Sequence, residues 1–233
     1  MVRRTIAIMQ PTYLPWIGYF DLIDYVDCFV FLDSVQFNKR SWQQRNRLKG
    51  AKGVTWLTVP VISKGRREQK IFEVEIDLSR QFQAKHLKTI ANCYSKAPFF
   101  SQYIDELSTI FHNTHYCLAE LNIELIQWFC KQLGISTQTL RSSDLNIEGK
   151  KTELLVNICE VLDANCYLSA EGSRVYIEEN NLFETKNIRL AYHNYKHPIY
   201  DQLYGEFIPY LSILDLLFNK GELSLFLIQK GRE

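Results

Sequence analysis

Acidic residues are missing where the cations are densest. From Ser34 to Arg67 the 233-residue chain has no Asp or Glu, yet Lys39, Arg40, Arg45, Arg47, Lys49, Lys52, Lys64, Arg66 and Arg67 all fall there. The whole chain balances 27 Lys and Arg against 26 Asp and Glu, so everything outside that window is net acidic. The six cysteines include no CxxC pair and most sit in apolar runs, so they read as small buried hydrophobes; a catalytic thiol is the alternative, and no local sequence singles one out. No stretch reaches the roughly 18 uncharged apolar residues of a membrane-spanning helix. The nearest, Leu211 to Ile228, is interrupted by Asp215, Lys220 and Glu222. The N-terminal apolar segment is too short for a secretory signal, so a cytoplasmic protein without a membrane span is expected. Neither GxxxxGK[ST] nor GxGxxG occurs, which removes two specific phosphate-binding signatures. No repeat, low-complexity tract or Gly/Pro/Ser linker divides the chain, so residues 1–233 are expected to form one domain.

What the sequence does hold is aromatic area, with 14 Phe, 13 Tyr and 4 Trp, and a readable alternation of elements. Thr5–Met9 and Cys28–Leu32 are short apolar runs that predict buried strands. Between them lie the stiff loop from Gln10 to Gly18, with two prolines, and a short helix over Tyr19–Tyr25. Such a crossover makes the two strands parallel and places Gln10 and Asp33 just past their carboxyl ends, where open α/β sheets bind ligands. Further strands are predicted at 54–59, 71–77 (half-exposed), 138–141, 166–169 and 189–192. Helices are predicted near 80–94, 98–113, 117–133, 150–162, 211–219 and 222–229. The fold class is thus α/β, a mostly parallel Rossmann-like sheet with a mainly helical insertion at about 80–134.

Three constellations suit chemistry. The first loop offers Gln10, Tyr13, Trp16 and Tyr19 around a potential ligand, with Gly18 allowing close backbone approach. The second gathers Asp33 with Gln36, Lys39, Arg40, Trp42, Arg45 and Asn46. Arginines among amides and indoles suit a diphosphate, and the carboxylate suits an amine. The third, later in the chain, holds His197, Tyr200 and Gln202, with Ser169 and Glu171 on the loop 169–176 that follows a strand. His197 titrates near neutrality and is a candidate base. His193 and His197 lack the further ligands that a zinc site needs, so no metal is assigned.

The strand–loop–helix spacing resembles nucleotidylyltransferase-like enzymes, but their paired histidines are replaced here by Pro15 or Trp16 and by Tyr19. A broader resemblance is carried by longer motifs: Gln10-Pro-x-Tyr-Leu-Pro-Trp-x-Gly-Tyr-Phe20, Phe31-Leu-Asp-x-Val-Gln-Phe37 and Lys39-Arg-Ser-Trp-Gln-x-Arg-Asn-Arg47. They continue through Trp56-Leu-Thr-Val-Pro-Val61, His197-Pro-x-Tyr-x-Gln202 and Leu211-Ser-Ile-Leu-Asp-Leu-Leu-Phe-Asn219. On these motifs, from about residue 5 to 228, the chain resembles the WbqC-like protein family. The resemblance implies a role in bacterial surface-polysaccharide (O-antigen lipopolysaccharide) biosynthesis. The implied enzyme is a transferase that moves an aminoacyl (glycyl) or acyl group onto the amine of a nucleotide-linked amino sugar. It leaves the donor open between ATP-dependent activation in place, an aminoacyl-tRNA and a carrier thioester. Two other classes remain: a nucleic-acid (tRNA)-binding or nucleotide-binding module, on the strength of the basic window, and a non-catalytic pathway scaffold.

Overall fold

A computed structural model describes residues 4–177 and 181–232. The chain runs β1 (Thr5–Met9), α1 (Ile17–Asp24), β2 (Cys28–Phe31), β3 (Arg45–Gly50), β4 (Gly53–Thr58), α2 (Phe82–Tyr94), α3 (Phe100–His112) and α4 (Leu118–Leu133). It continues through β5 (Gln138–Arg141), α5 (Lys151–Val161), β6 (Cys166–Ala170), α6 (Arg174–Ile177), α7 (Leu182–Thr185), β7 (Arg189–His193), α8 (Ile213–Lys220) and α9 (Ser224–Gln229).

Five of the strands form one sheet in the order β5-β2-β1-β6-β7, parallel at every pairing. Counted along the chain, that is 3-2-1-4-5, so the winding reverses between β1 and β6. Ligands bind outside the carboxyl ends of the strands at such a reversal. The period of two explains both faces of the sheet. Ile6, Ile8, Cys28 and Val30 point into one apolar layer with α5 and Phe183. Ala7, Phe29 and Phe31 point into the other, larger one with α1, α2, α3, α4 and α8. Strands covered on both sides read as continuous apolar runs, which is why these short segments stand out in the sequence.

The helices of the segment 80–134 fall where their periodicity places them. α4 stops at Gly134, whose φ of 76° suits glycine, while the amides of Gly134 and Ile135 close onto Lys131 and Cys130. Elsewhere the fold departs from expectation. Residues 71–77 form no strand: Ile71–Glu73 is a tight turn closed by the Glu73 carboxylate on the Lys70 amide at 2.7 Å, and Ile76 and Glu75 make only isolated bridges. The first helix begins at Ile17 rather than Tyr19, and α8 begins at Ile213 because Ser212 Oγ caps the Leu214 amide. β3 was not anticipated, nor were α6 and α7. All six cysteines are free. No helix among the described residues is long and apolar enough to cross a membrane.

Candidate functional site

A cleft of about 350 Å³ opens at the carboxyl end of β1, lined by Met9, Thr12, Pro15, Trp16, Tyr19, Trp42, Asn46, Arg47 and Tyr210. Three chain segments meet there: the loop after β1, the approach to β3 with its first residues, and the stretch before α8. Side-chain amides hold them together. Asn46 Nδ2 donates to the carbonyls of Tyr13 (3.2 Å) and Leu14 (2.7 Å), which keeps the buried Leu14 in the left-handed region at φ 47°. Gln43 Nε2 donates to Gln10 Oε1 (2.7 Å), and Asn122 Nδ2 of α4 bridges the carbonyls of Pro11 and Gln43. Arg47 donates from Nε and Nη2 to the carbonyls of Tyr210 and Pro209, both at 3.3 Å, and so pins the third segment over the cleft.

Trp16 is the central wall. Its indole packs against Tyr195, His197 and Tyr210 with ring centroids 5.3–6.2 Å apart. It also lies across Gly18, where an added Cβ would come within 2.2 Å of the ring. Gly18 therefore makes room for an indole and not for a ligand, which corrects the sequence expectation. Tyr19 closes the floor, its hydroxyl donating to the Gln10 carbonyl at 3.1 Å.

Of the other residues singled out by sequence, Tyr13 turns into the core. Its hydroxyl lies 2.7 Å from His86 Nδ1. Burial lowers the His86 pKa to about 4 and raises Tyr13 well above the ordinary tyrosine range. Asp33 is wholly buried, and four donors reach its oxygens: Arg141 Nε (2.8 Å), Ser142 Oγ (3.1 Å), and Ser143 N and Oγ (both 2.9 Å). It fastens the carboxyl ends of β2 and β5 together, while Lys39 and Arg40 are exposed. A smaller cleft of about 230 Å³ beside it is lined in part by Arg141 and Asp144.

Tyr200 and Gln202 also face inward. Tyr200 (2.9 Å) and Tyr94 (3.1 Å) donate to the buried Asp215 carboxylate, whose pKa burial pushes up to about 6 against the pull of those bonds and of Lys49. Gln202 accepts from Lys49 Nζ (3.0 Å) and clasps Ile208 through both its main-chain groups. Ser169 is buried at the end of β6, and Glu171 pairs with Arg174 at 2.7 Å on the surface. The side chains of residues 175 and 176, on the same loop, lie outside the described residues. Gln36 is exposed and bonds the Arg67 carbonyl at 2.9 Å. His197 is half-buried behind Trp16. Its Nδ1–H donates to the Pro198 carbonyl at 2.8 Å, and burial holds its pKa below the ordinary value.

The basic window is thus distributed. Arg47 alone of the nine cations lines the cleft; Lys49 is buried beneath Gln202, Arg66 pairs with Glu75 at 2.6 Å, and Arg45 lies over the Trp56 ring at 4.7 Å. Of the residues singled out by sequence, Trp16, Tyr19, Trp42 and Asn46 line the cleft, and the Gln10 carbonyl accepts from Tyr19. Met9, Thr12, Pro15 and Tyr210 line it too without being expected site residues, and Arg47 was expected only as one cation of the basic window. Thr12 and Pro15 sit inside the loop that had been singled out, but nothing local marks Tyr210, which arrives from 200 residues downstream. The arrangement can seat one flat, anion-bearing ligand between indole and phenol walls, with Arg47 and Asn46 as polar anchors. No three or more His, Cys, Asp or Glu side chains among the described residues converge as they would to hold a metal.

Comparison with known proteins agrees with these motifs. The profile of the WbqC-like protein family matches residues 10–225. The uncharacterized protein Rv1507c of Mycobacterium tuberculosis is 41% identical over 220 residues, which cover 94% of each chain. No solved structure matches.

Proposed function

The chain belongs to the WbqC-like protein family, and from that premise we propose that it binds a nucleotide-linked amino sugar in the cleft after β1 and transfers an acyl or aminoacyl group to the sugar's amine. The observation that carries this reading is the placement of the cleft. An aromatic-walled pocket with one arginine and one amide sits at the carboxyl end of the central strand, beside the reversal of the sheet. The family resemblance favours the surface-polysaccharide amino sugar and the acyl chemistry. Trp16, Trp42 and Tyr210 offer flat faces to base or sugar, and Arg47 offers charge to the diphosphate.

In the transfer, the amine nitrogen forms a bond to the acyl carbon, and the bond from that carbon to the donor's leaving oxygen or sulfur breaks. The nitrogen gives up one proton. In this reading the proton leaves to water at the cleft, since His197 stands behind Trp16 outside the lining and the acceptor positions of Asp33 are filled from within the chain. Holding amine and acyl group together supplies much of the acceleration.

Thermal unfolding with nucleotide-linked amino sugars, the same sugars without nucleotide, ATP and amino acids tests the binding step. A nucleotide-linked sugar at 100 times its Kd is expected to stabilise the protein by about 2.7 kcal/mol, and Trp42→Ala to abolish the shift. If neither ATP nor any nucleotide sugar moves the transition, the proposal fails. Mass spectrometry of the sugar after incubation with candidate donors tests the transfer step.

A further inference from the structure

The β3–β4 hairpin presents one face that the cleft does not use up. In its register Arg45, Arg47 and Lys49 lie opposite Thr58, Trp56 and Val54, and these six share a face; Leu48 and Leu57 on the other face are in the core. The stretch 202–210 roofs the Lys49 and Arg47 end, where those side chains bond Gln202, Glu206, Pro209 and Tyr210. Beyond the roof, the Arg45–Thr58 end and the outer side of Trp56, which sits opposite Arg47, are open. There Trp42 and Trp56 stack with centroids 5.5 Å apart and planes 27° from parallel, and the Arg45 guanidinium lies over Trp56. Both indoles are nearly half exposed, Trp42 at 49% and Trp56 at 46%.

Indole is costly to leave in water and is normally kept covered. Two stacked indoles beside a planar cation, on a segment from Ser34 to Arg67 without one carboxylate, form a surface with two complementary properties. The rings accept flat faces, and Lys39 and Arg40, both exposed, accept phosphates. Stacking is indifferent to base identity, and cations beside it follow a backbone. A free monosaccharide uses the first property only. A duplex uses the second only, since its bases are already stacked on one another.

We propose that this open half of the hairpin, Trp42–Trp56–Arg45, is a stacking platform for the unpaired bases of a single-stranded nucleic acid, with its flanking cations holding the phosphates. Trp42 belongs to both surfaces, so a strand lying on the platform brings its end to the cleft mouth. The inference goes beyond the small-molecule reading of the cleft and does not depend on it.

Tryptophan fluorescence titrated with eight-nucleotide single strands of RNA and of DNA tests the platform. Quenching by either polymer is expected, with affinity that falls linearly on a log–log plot as salt rises. Trp56→Ala should weaken binding by at least about fivefold and Trp56→Phe by less, while Arg40→Ala should reduce the salt slope by about one phosphate. The melting temperature of each variant shows that it is folded. The proposal is overturned if no single strand quenches, if duplex or a mononucleotide binds as tightly, or if Trp56→Ala binds like the parent. Quenching by a neutral oligosaccharide without salt dependence overturns it as well. Nucleotide-sugar stabilisation of the unaltered protein, read in the same preparation, reports on the cleft separately.

Discussion

Gly18 and Asp33 show what single residues do in this structure. Gly18→Ala puts a methyl group into the Trp16 ring, so the indole must leave its nest among Tyr195, His197 and Tyr210. The expected cost is about 1–3 kcal/mol from overpacking, accompanied by a shift in Trp16 emission and weaker cleft binding; calorimetry and fluorescence check it. Asp33→Ala should cost about 3 kcal/mol, since it strands the Arg141 guanidinium and three further donors beside a void. The estimate sits at the lower end of the range for buried pairs because Arg141 itself is a third exposed. Denaturant titration reads that loss. Neither role was legible locally, because a glycine beside an aromatic-rich loop and a carboxylate at a strand end each fit a ligand equally well. What decides is a partner met only in space: an indole for one, and for the other Arg141–Ser143, more than 100 residues downstream.

At the scale of elements, the hairpin and the stretch before α8 behave as a base and its roof. Lys49 reaches across to Gln202 Oε1 and the Glu206 carbonyl, and Gln202 in turn accepts the Ile208 amide. Lys49→Met keeps the length of the side chain but removes these donations, so the roof should open more often. Hydrogen exchange at the Ile208 amide is expected to accelerate about tenfold, while β1 and β2 amides stay protected. The strands of the parallel sheet were readable because burial on both faces makes them uniformly apolar. β3 was not, because its alternation runs between cations on one face and Asn46 and Leu48 on the other. In a linear reading it looks like a charged loop.

For the whole molecule, two buried titratable groups oppose each other across mild acid. His86 has its folded pKa depressed to about 4 from the ordinary 6.5, so the unfolded chain takes the proton first and stability is lost as pH falls from 6.5 toward 4. Asp215 has its pKa raised to about 6 from 3.8, so the folded chain takes the proton first and stability is lost as pH rises through that interval. Between pH 7 and pH 5 the first effect is about 2 kcal/mol and the second about 1 kcal/mol in the other direction. Relative to the parent, His86→Gln should therefore gain about 2 kcal/mol on that acidification and Asp215→Asn should lose about 1 kcal/mol, as urea titrations at the two pH values would show. The sheet and most helices could be read from the chain as written, whereas the cleft, assembled from positions 9–19, 42–47 and 210, could be read only in part.

The cysteines give the fold a built-in chemical clock. Five of the six are buried, and burial pushes the thiols of Cys130 and Cys159 up to about 12. An alkylating reagent at pH 8 meets almost no thiolate at these two positions while the chain is native. Each adduct on Cys130 would report an excursion of the large α-helical layer, and each on Cys159 an excursion of the layer across the sheet. The two rates, read by mass, would tell whether the halves of the molecule come apart together or one before the other.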